Sequence, residues 1–189
     1  MRPAFWGVIS RNLAALSRFR KTETFQKLVN SNGETQFLAM PLAMAMTVNA
    51  GFILGLVFVP GLWSVVEYLF PLAIIAFALI AVSAFRRIGD FLGRVLSEGG
   101  VFDVTANNSF AQLVPAFALS MTAVGMAAPA AMSTVPLTVG ISMILSVILG
   151  TIAALYAVVA AILAFNSMLH HGTAKESAPT LMVVVPILT

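Results

Sequence analysis

Four stretches of the chain carry almost no charge, and a fifth opens near its end. They run over 37–58, 65–85, 110–132 and 135–165, and then from about 178 to 189. A helix that crosses a bilayer needs about 20 mostly apolar residues, and each of the first four stretches is that long. Their apolarity is continuous, without the every-other-residue alternation of a barrel strand. Helices and closed barrels are the only structures that satisfy the backbone in lipid. The pattern therefore predicts an all-α, polytopic membrane protein: two transmembrane hairpins plus a partial fifth helix. Residues 1–36 read as a basic, amphipathic cytoplasmic segment and 37–189 as the transmembrane domain. The fourth stretch is long for an upright span, so it should tilt or project beyond the bilayer.

Two further segments alternate apolar and polar residues at helical spacing. Phe5, Trp6, Ile9, Leu13 and Leu16 form one stripe; Ile88, Phe91, Leu92, Val95 and Leu96 form another, ending at Gly99-Gly100. Each reads as a helix lying at the headgroup level. For Ala4 to Ile9 the stub of an earlier span is the rival.

Charge then orients the pattern. Arg2, Arg11, Arg18, Arg20, Lys21 and Lys27 precede the first stretch, Arg86, Arg87 and Arg94 follow the second, and Lys175 follows the fourth. The short connections 59–64 and 129–134 hold no Lys or Arg. Every basic segment falls on one side. The positive-inside rule gives a cytoplasmic N-terminus, two tight outer turns and two longer inner loops. The expected location is a bacterial inner membrane.

Composition agrees: 60% of the 189 residues are hydrophobic and 9% are charged, against about a quarter charged in soluble domains. So few charges cannot cover a water-facing surface. The chain has no cysteine, which excludes disulfides, thiolate metal sites and a cysteine nucleophile. No HExxH, phosphate-binding glycine loop, GxSxG or acidic metal cluster is present. His170 and His171 are neighbours in sequence, and adjacent side chains diverge on a helix. The expectation is a protein that is not an enzyme, holds no cofactor or metal, and binds no nucleic acid.

The first and third stretches share a layout. Gln36, Pro41, Met46-Thr47 and Gly51 in one answer to Gln112, Pro115, Met121-Thr122 and Gly125 in the other. The fifth carries Pro179-Thr180 and Pro186, whereas Pro71 and Pro136 sit near the starts of the second and fourth. This points to a hairpin repeat of the kind transport folds use. A proline inside a helix frees a carbonyl and bends the axis. Pro41, Pro115 and Pro186 would then kink alternate helices around a central path. The competing reading is that membrane helices are simply richer in proline and glycine.

Candidate path-lining residues are Thr47, Asn49, Gln112, Ser120 and Thr122. Asn49 is the clearest polar group at membrane depth, and it could equally bond across a helix interface. Serine and threonine readily bond their own backbone. Glu67 reads as a solvated interfacial carboxylate or as part of a charged vestibule. No Lys or Arg lies inside any stretch, so a transported anion would be held by helix ends, hydroxyls and amides. Asn30, Asn32 and Gln36 ahead of the first span, and Asn107 and Asn108 ahead of the third, form polar cytoplasmic entries. They suit helix caps and also anion-attracting helix N-termini.

Several of these segments resemble a known family. Asn30-Ser-Asn-Gly-Glu-Thr-Gln36, Phe58-Val-Pro-Gly-Leu-Trp63-Ser-Val-Val-Glu67, Ala106-Asn-Asn-Ser109, Ala127-Ala-Pro-Ala-Ala-Met-Ser133 and Glu176-Ser-Ala-Pro-Thr-Leu181 together resemble the bacterial TsoY family of multi-spanning membrane proteins. More remotely, the hairpin pattern and Pro179-Thr-Leu … Pro186 resemble the tellurite-resistance/dicarboxylate transporter and slow anion channel group. The remote resemblance implies ten helices in five hairpins around an anion pore, gated by a phenylalanine on a late inner helix. No residue here answers to that gate, nor to any cysteine or selenocysteine chemistry. The expectation is therefore a fragment that lacks helices of the same protein; a short protein that pairs with itself is the rival.

Three functional readings follow. The first is an anion channel-like transport protein whose first, third and fifth spans line the path. The second is a membrane scaffold or accessory subunit with no path, in which Asn49 bonds to a neighbouring helix. The third is a membrane redox protein whose active residues lie outside this chain. Expected partners are the lipid bilayer, small anions, and either a second copy or missing helices.

Overall fold

The computed structural model describes residues 37–98 and 109–173, with 14, 15, 17–23, 25 and 34 ahead of them. The expected fifth span with Pro186, the stripe from Phe5 to Ile9, and Asn30, Asn32, Gln36, Asn107 and Asn108 lie outside the described residues. Four helices among the described residues are long and apolar enough to cross a membrane. They are α1 (Ala39–Phe58), α2 (Val66–Glu98), α3 (Val114–Met132) and α4 (Pro136–His171), and among the described residues no strand accompanies them. The described residues form an all-helical membrane protein.

The helices pair as antiparallel hairpins. Between α1 and α2 the chain turns through Gly61, whose φ of 78° is left-handed and so favours glycine. A 3-10 turn over Leu62–Ser64 leads into α2. Between α3 and α4 only Ser133, Thr134 and Val135 intervene, and Pro136 starts α4. Proline suits a first helical position because its missing N–H has no partner there anyway.

α2 differs from the sequence expectation. The stripe Ile88 to Leu96 is not a separate helix at the headgroups; it is the last part of one helix of 33 residues. Gly89 and Gly93 each cost about 1 kcal/mol of helix propensity, but neither removes a hydrogen bond as proline would. Ile88 and Phe91 are also buried, and Ile88 joins the core with Leu38 and Ala45. Packing thus carries the helix straight through. At 1.5 Å per residue α2 spans roughly 50 Å, well past the ~30 Å hydrocarbon core. α4, with 36 residues, also overruns the core, as its length implied.

α3 is the middle of the bundle. It packs most extensively on α4, then on α1 and α2, while α2 and α4 scarcely meet. About half of Phe110–Met132 is buried, whereas in α1 only Pro41 and Ala45 are. Phe77, Ile80, Leu119, Met126 and Leu149 form the heart of the core. The face that α4 turns inward is nearly all small or hydroxyl-bearing: Thr138, Ser142, Ala153, Ala160, Ala164 and Ser167, with Leu149. Lipid offers no hydrophobic drive between helices, so close backbone approach and dispersion hold them; small residues permit that approach.

Candidate functional site

The described candidates fall in different places around α3. Pro41 is the third residue of α1, and Pro115 the second of α3. Both stand in a first turn, where no intrahelical bond is lost. They begin helices, so the expected kinks at these two positions have no broken ladder to rest on. Pro129 does lie inside α3, one turn from its end. Ser109 caps the entry to α3: its Oγ accepts from the Ala111 N–H at 3.3 Å ahead of the 3-10 turn Phe110–Leu113. Gln112 is buried in that turn.

Asn49 bonds across an interface. Its Nδ2 donates to the Met121 carbonyl at 3.1 Å, tying α1 to α3. Thr47, two residues earlier, faces the opposite way, as a 200° rotation along a helix dictates. It is exposed, and its Oγ1 donates to the Ala43 carbonyl at 2.7 Å. Thr122 does the same toward Ala118 at 2.7 Å, but fully buried. Neither threonine needs a ligand to satisfy its hydroxyl. Ser120 is half-buried and lines a groove of about 310 Å³ between α3 and α4, with Ala116, Phe117, Gly150, Ala154 and Ala157 among its walls. Thr47, Asn49, Gln112, Ser120 and Thr122 therefore share no single cavity.

A second cavity of about 330 Å³ lies among α1, α2 and α3. Asn49, Phe52, Leu56, Phe77, Met121 and Met132 are among the residues lining it. Met121 lines both spaces. The two therefore flank α3 on either side of that residue.

Three features were not foreseen from sequence. Glu67, at the start of α2, accepts from Ser133 Oγ at 2.8 Å, from the Thr134 N–H at 2.6 Å and from Thr134 Oγ1 at 2.9 Å. It joins the two hairpins at their tight-turn end, a role neither solvated carboxylate nor vestibule described. Its solitary charge beside a turn was the available signal. Ser146 Oγ donates to the Ala123 carbonyl at 2.9 Å, binding α4 to α3. Gly125 is pressed by the Phe77 ring so closely that a Cβ there would overlap it. Spacing alone cannot reveal that partner.

Charged groups gather at the other end. Arg94 pairs with Glu34, and Arg87 lies 3.7 Å from the Met40 sulfur. His170 Nδ1 sits 2.9 Å from the Asn166 carbonyl, at the end of α4. Among the described residues no three His, Cys, Asp or Glu side chains are grouped to hold a metal. Comparison with protein-family models, with curated proteins and with solved structures gives no match.

Proposed function

We propose that this chain is a transport protein of the bacterial inner membrane, anion channel-like, in which α3 forms a wall of the path. The observation that carries this reading is the groove beside Ser120. Exposed positions elsewhere are bulky and apolar, as lipid contact favours: Leu72, Ile75 and Leu79 on α2, and Leu137, Ile144, Leu155 and Ile162 on α4. The α3–α4 groove instead presents Ser120 among Ala116, Gly150, Ala154 and Ala157. A hydroxyl amid small residues leaves room for water or an ion, or for another helix that completes the wall. With no Lys or Arg within the four apolar stretches 37–58, 65–85, 110–132 and 135–165, a small anion at that depth would be held by hydroxyls and amides alone. The remote resemblance to the slow anion channel group points the same way.

A second reading, a scaffold or accessory subunit without a path, is favoured by a different observation. Asn49, Thr47, Thr122 and Ser146 each donate a hydrogen bond to a backbone carbonyl. The chain has no cysteine, so single-cysteine variants report cleanly. In proteoliposomes, transport predicts anion flux and labelling of Ser120→Cys and Ala154→Cys by a water-soluble thiol reagent. No flux of nitrate, chloride, sulfite or dicarboxylates above empty liposomes, together with unlabelled cysteines, overturns it in favour of the scaffold.

A further inference from the structure

We infer that the end of the bundle opposite the tight turns holds the headgroup of an anionic phospholipid, with Arg87 as its main contact. The apolar stretch 65–85 covers about 30 Å at 1.5 Å per residue, the thickness of the hydrocarbon core. Arg86 and Arg87 are the next two residues, so they stand at the depth of the lipid phosphates. Arg87 is half-buried, and its guanidinium meets the Met40 sulfur at 3.7 Å, in the first turn of α1. A thioether sulfur is a weak, uncharged acceptor. Among the described residues no carboxylate lies within ion-pair reach of Arg86 or Arg87, and that includes Asp90 on the next turn.

Arg94 shows what depth changes. It follows Arg87 by seven residues, so the two share a face of α2, two turns and about 10 Å apart. Arg94 is the farther from the hydrocarbon, and this chain supplies its carboxylate, Glu34. For Arg87 it supplies none. A half-buried cation without a counter-charge is costly, and at that depth the bilayer itself carries phosphate. The match is also one of shape, because a guanidinium fork donates two parallel bonds to two phosphate oxygens.

Further bases converge on the same place. Thr22 Oγ1 donates to the Phe19 carbonyl at 2.7 Å and accepts from the Phe25 N–H at 3.3 Å. That turn sets the Phe19 and Phe25 rings edge to face, 5.8 Å apart. The Phe25 ring lies in turn 5.2 Å from that of Phe37, just ahead of α1. The three rings carry residues 18–21 to the entrance of α1, whose first turn Arg87 touches. Arg18, Arg20 and Lys21 are exposed there, and Glu23 is the one acid described beside them. Clusters of about four to eight bases beside a spanning helix favour anionic lipids, each base by about fivefold. The phosphate of a zwitterionic lipid is balanced by its own cation, so the cluster selects a lipid of net negative charge. The site lies at the end of the bundle away from Glu67 and does not rest on transport.

The test titrates the whole chain in detergent with dioleoyl phosphatidylglycerol or dioleoyl phosphatidylcholine, and native mass spectrometry reads the apparent Kd of the first bound lipid. The acyl chains are identical, so a difference belongs to the headgroup. Phosphatidylglycerol should bind about tenfold tighter or more, and Arg87→Gln should weaken it about fivefold while leaving phosphatidylcholine unchanged. Arg94→Lys, which keeps a cation beside Glu34, should keep the preference. Where Arg87→Gln lowers the yield of folded protein, Arg18→Gln, Arg20→Gln and Lys21→Gln combined alter only exposed side chains and should reduce the preference at least as much. Equal Kd values for the two lipids overturn the site, as does a preference that both sets of substitutions leave intact. A loss in Arg94→Lys equal to that in Arg87→Gln also overturns it, because the effect would not follow depth. Millimolar inorganic phosphate should leave the lipid bound; its displacement would make this a site for a soluble anion instead. Anion flux is not read here, so failure of the transport reading leaves this result standing.

Discussion

α1 and α3 begin alike and end in different surroundings. Each carries a proline in its first turn, a Met-Thr pair and a later glycine. Thr47 and Thr122 even make the same bond, 2.7 Å to the carbonyl four residues back. Yet Thr47 is exposed and Thr122 fully buried. A Cβ at Gly51 would meet open space, whereas one at Gly125 would meet the Phe77 ring. The lesson is that a repeated motif fixes local bonding but not environment. α3 has neighbours on three sides; α1 sits at the edge.

That contrast can be broken or sharpened by substitution. The largest effect should come from the glycines. Gly125→Leu forces Phe77 from its rotamer, an overpacking cost of about 1–3 kcal/mol or more, while Gly51→Leu should stay within about 0.5 kcal/mol. Reversible unfolding from mixed micelles measures both, and equal losses would erase the distinction between the two helices. Next comes the link between hairpins: Glu67→Ala should lower the thermal midpoint, and Glu67→Gln, which keeps a carbonyl acceptor, should recover part of the loss. An unchanged midpoint in Glu67→Ala would mean that packing alone holds the turns together. Asn49→Leu removes the one side-chain bond between α1 and α3 among the described residues. Interhelical bonds in membranes average about 0.6 kcal/mol and reach ~1.7, so a loss in that range is expected from the same unfolding assay. The smallest effect belongs to the threonines. Thr47→Val and Thr122→Val each give up only a local bond to a carbonyl four residues back, so both should cost less than the ~1 kcal/mol of a typical net hydrogen bond. A larger loss in Thr122→Val alone would reveal a partner for its hydroxyl beyond Ala118.

Much of the fold is legible along the chain, and the site far less so. The four apolar stretches announce α1 to α4 because a spanning helix must keep apolar residues for its whole length. The opposed facing of Thr47 and Asn49 can likewise be counted off at 100° per residue. The junction at Phe85 cannot. A charged pair, Arg86-Arg87, looks like the end of a span, yet α2 runs on because Ile88 and Phe91 find burial. The prolines mislead for a related reason: whether a proline bends a helix depends on its distance from the first turn, and that boundary shifts by only a few residues.

By itself, then, the sequence determined the solvent. A chain with 9% charged residues and four long uncharged runs has one environment in which its surface is satisfied, and in that environment the backbone must be helical. It also determined the hairpin order, through the two uncharged turns. The tertiary structure decided which helix lies at the centre, that Asn49 reaches Met121, that Glu67 holds the second turn, and that Phe77 rests on Gly125. Those contacts join residues 48 to 72 positions apart, selected by how helices rotate and approach one another. In an almost uniformly apolar chain, hydrophobic patterning scarcely distinguishes one helix face from another; the faces are set by size and shape once the helices meet.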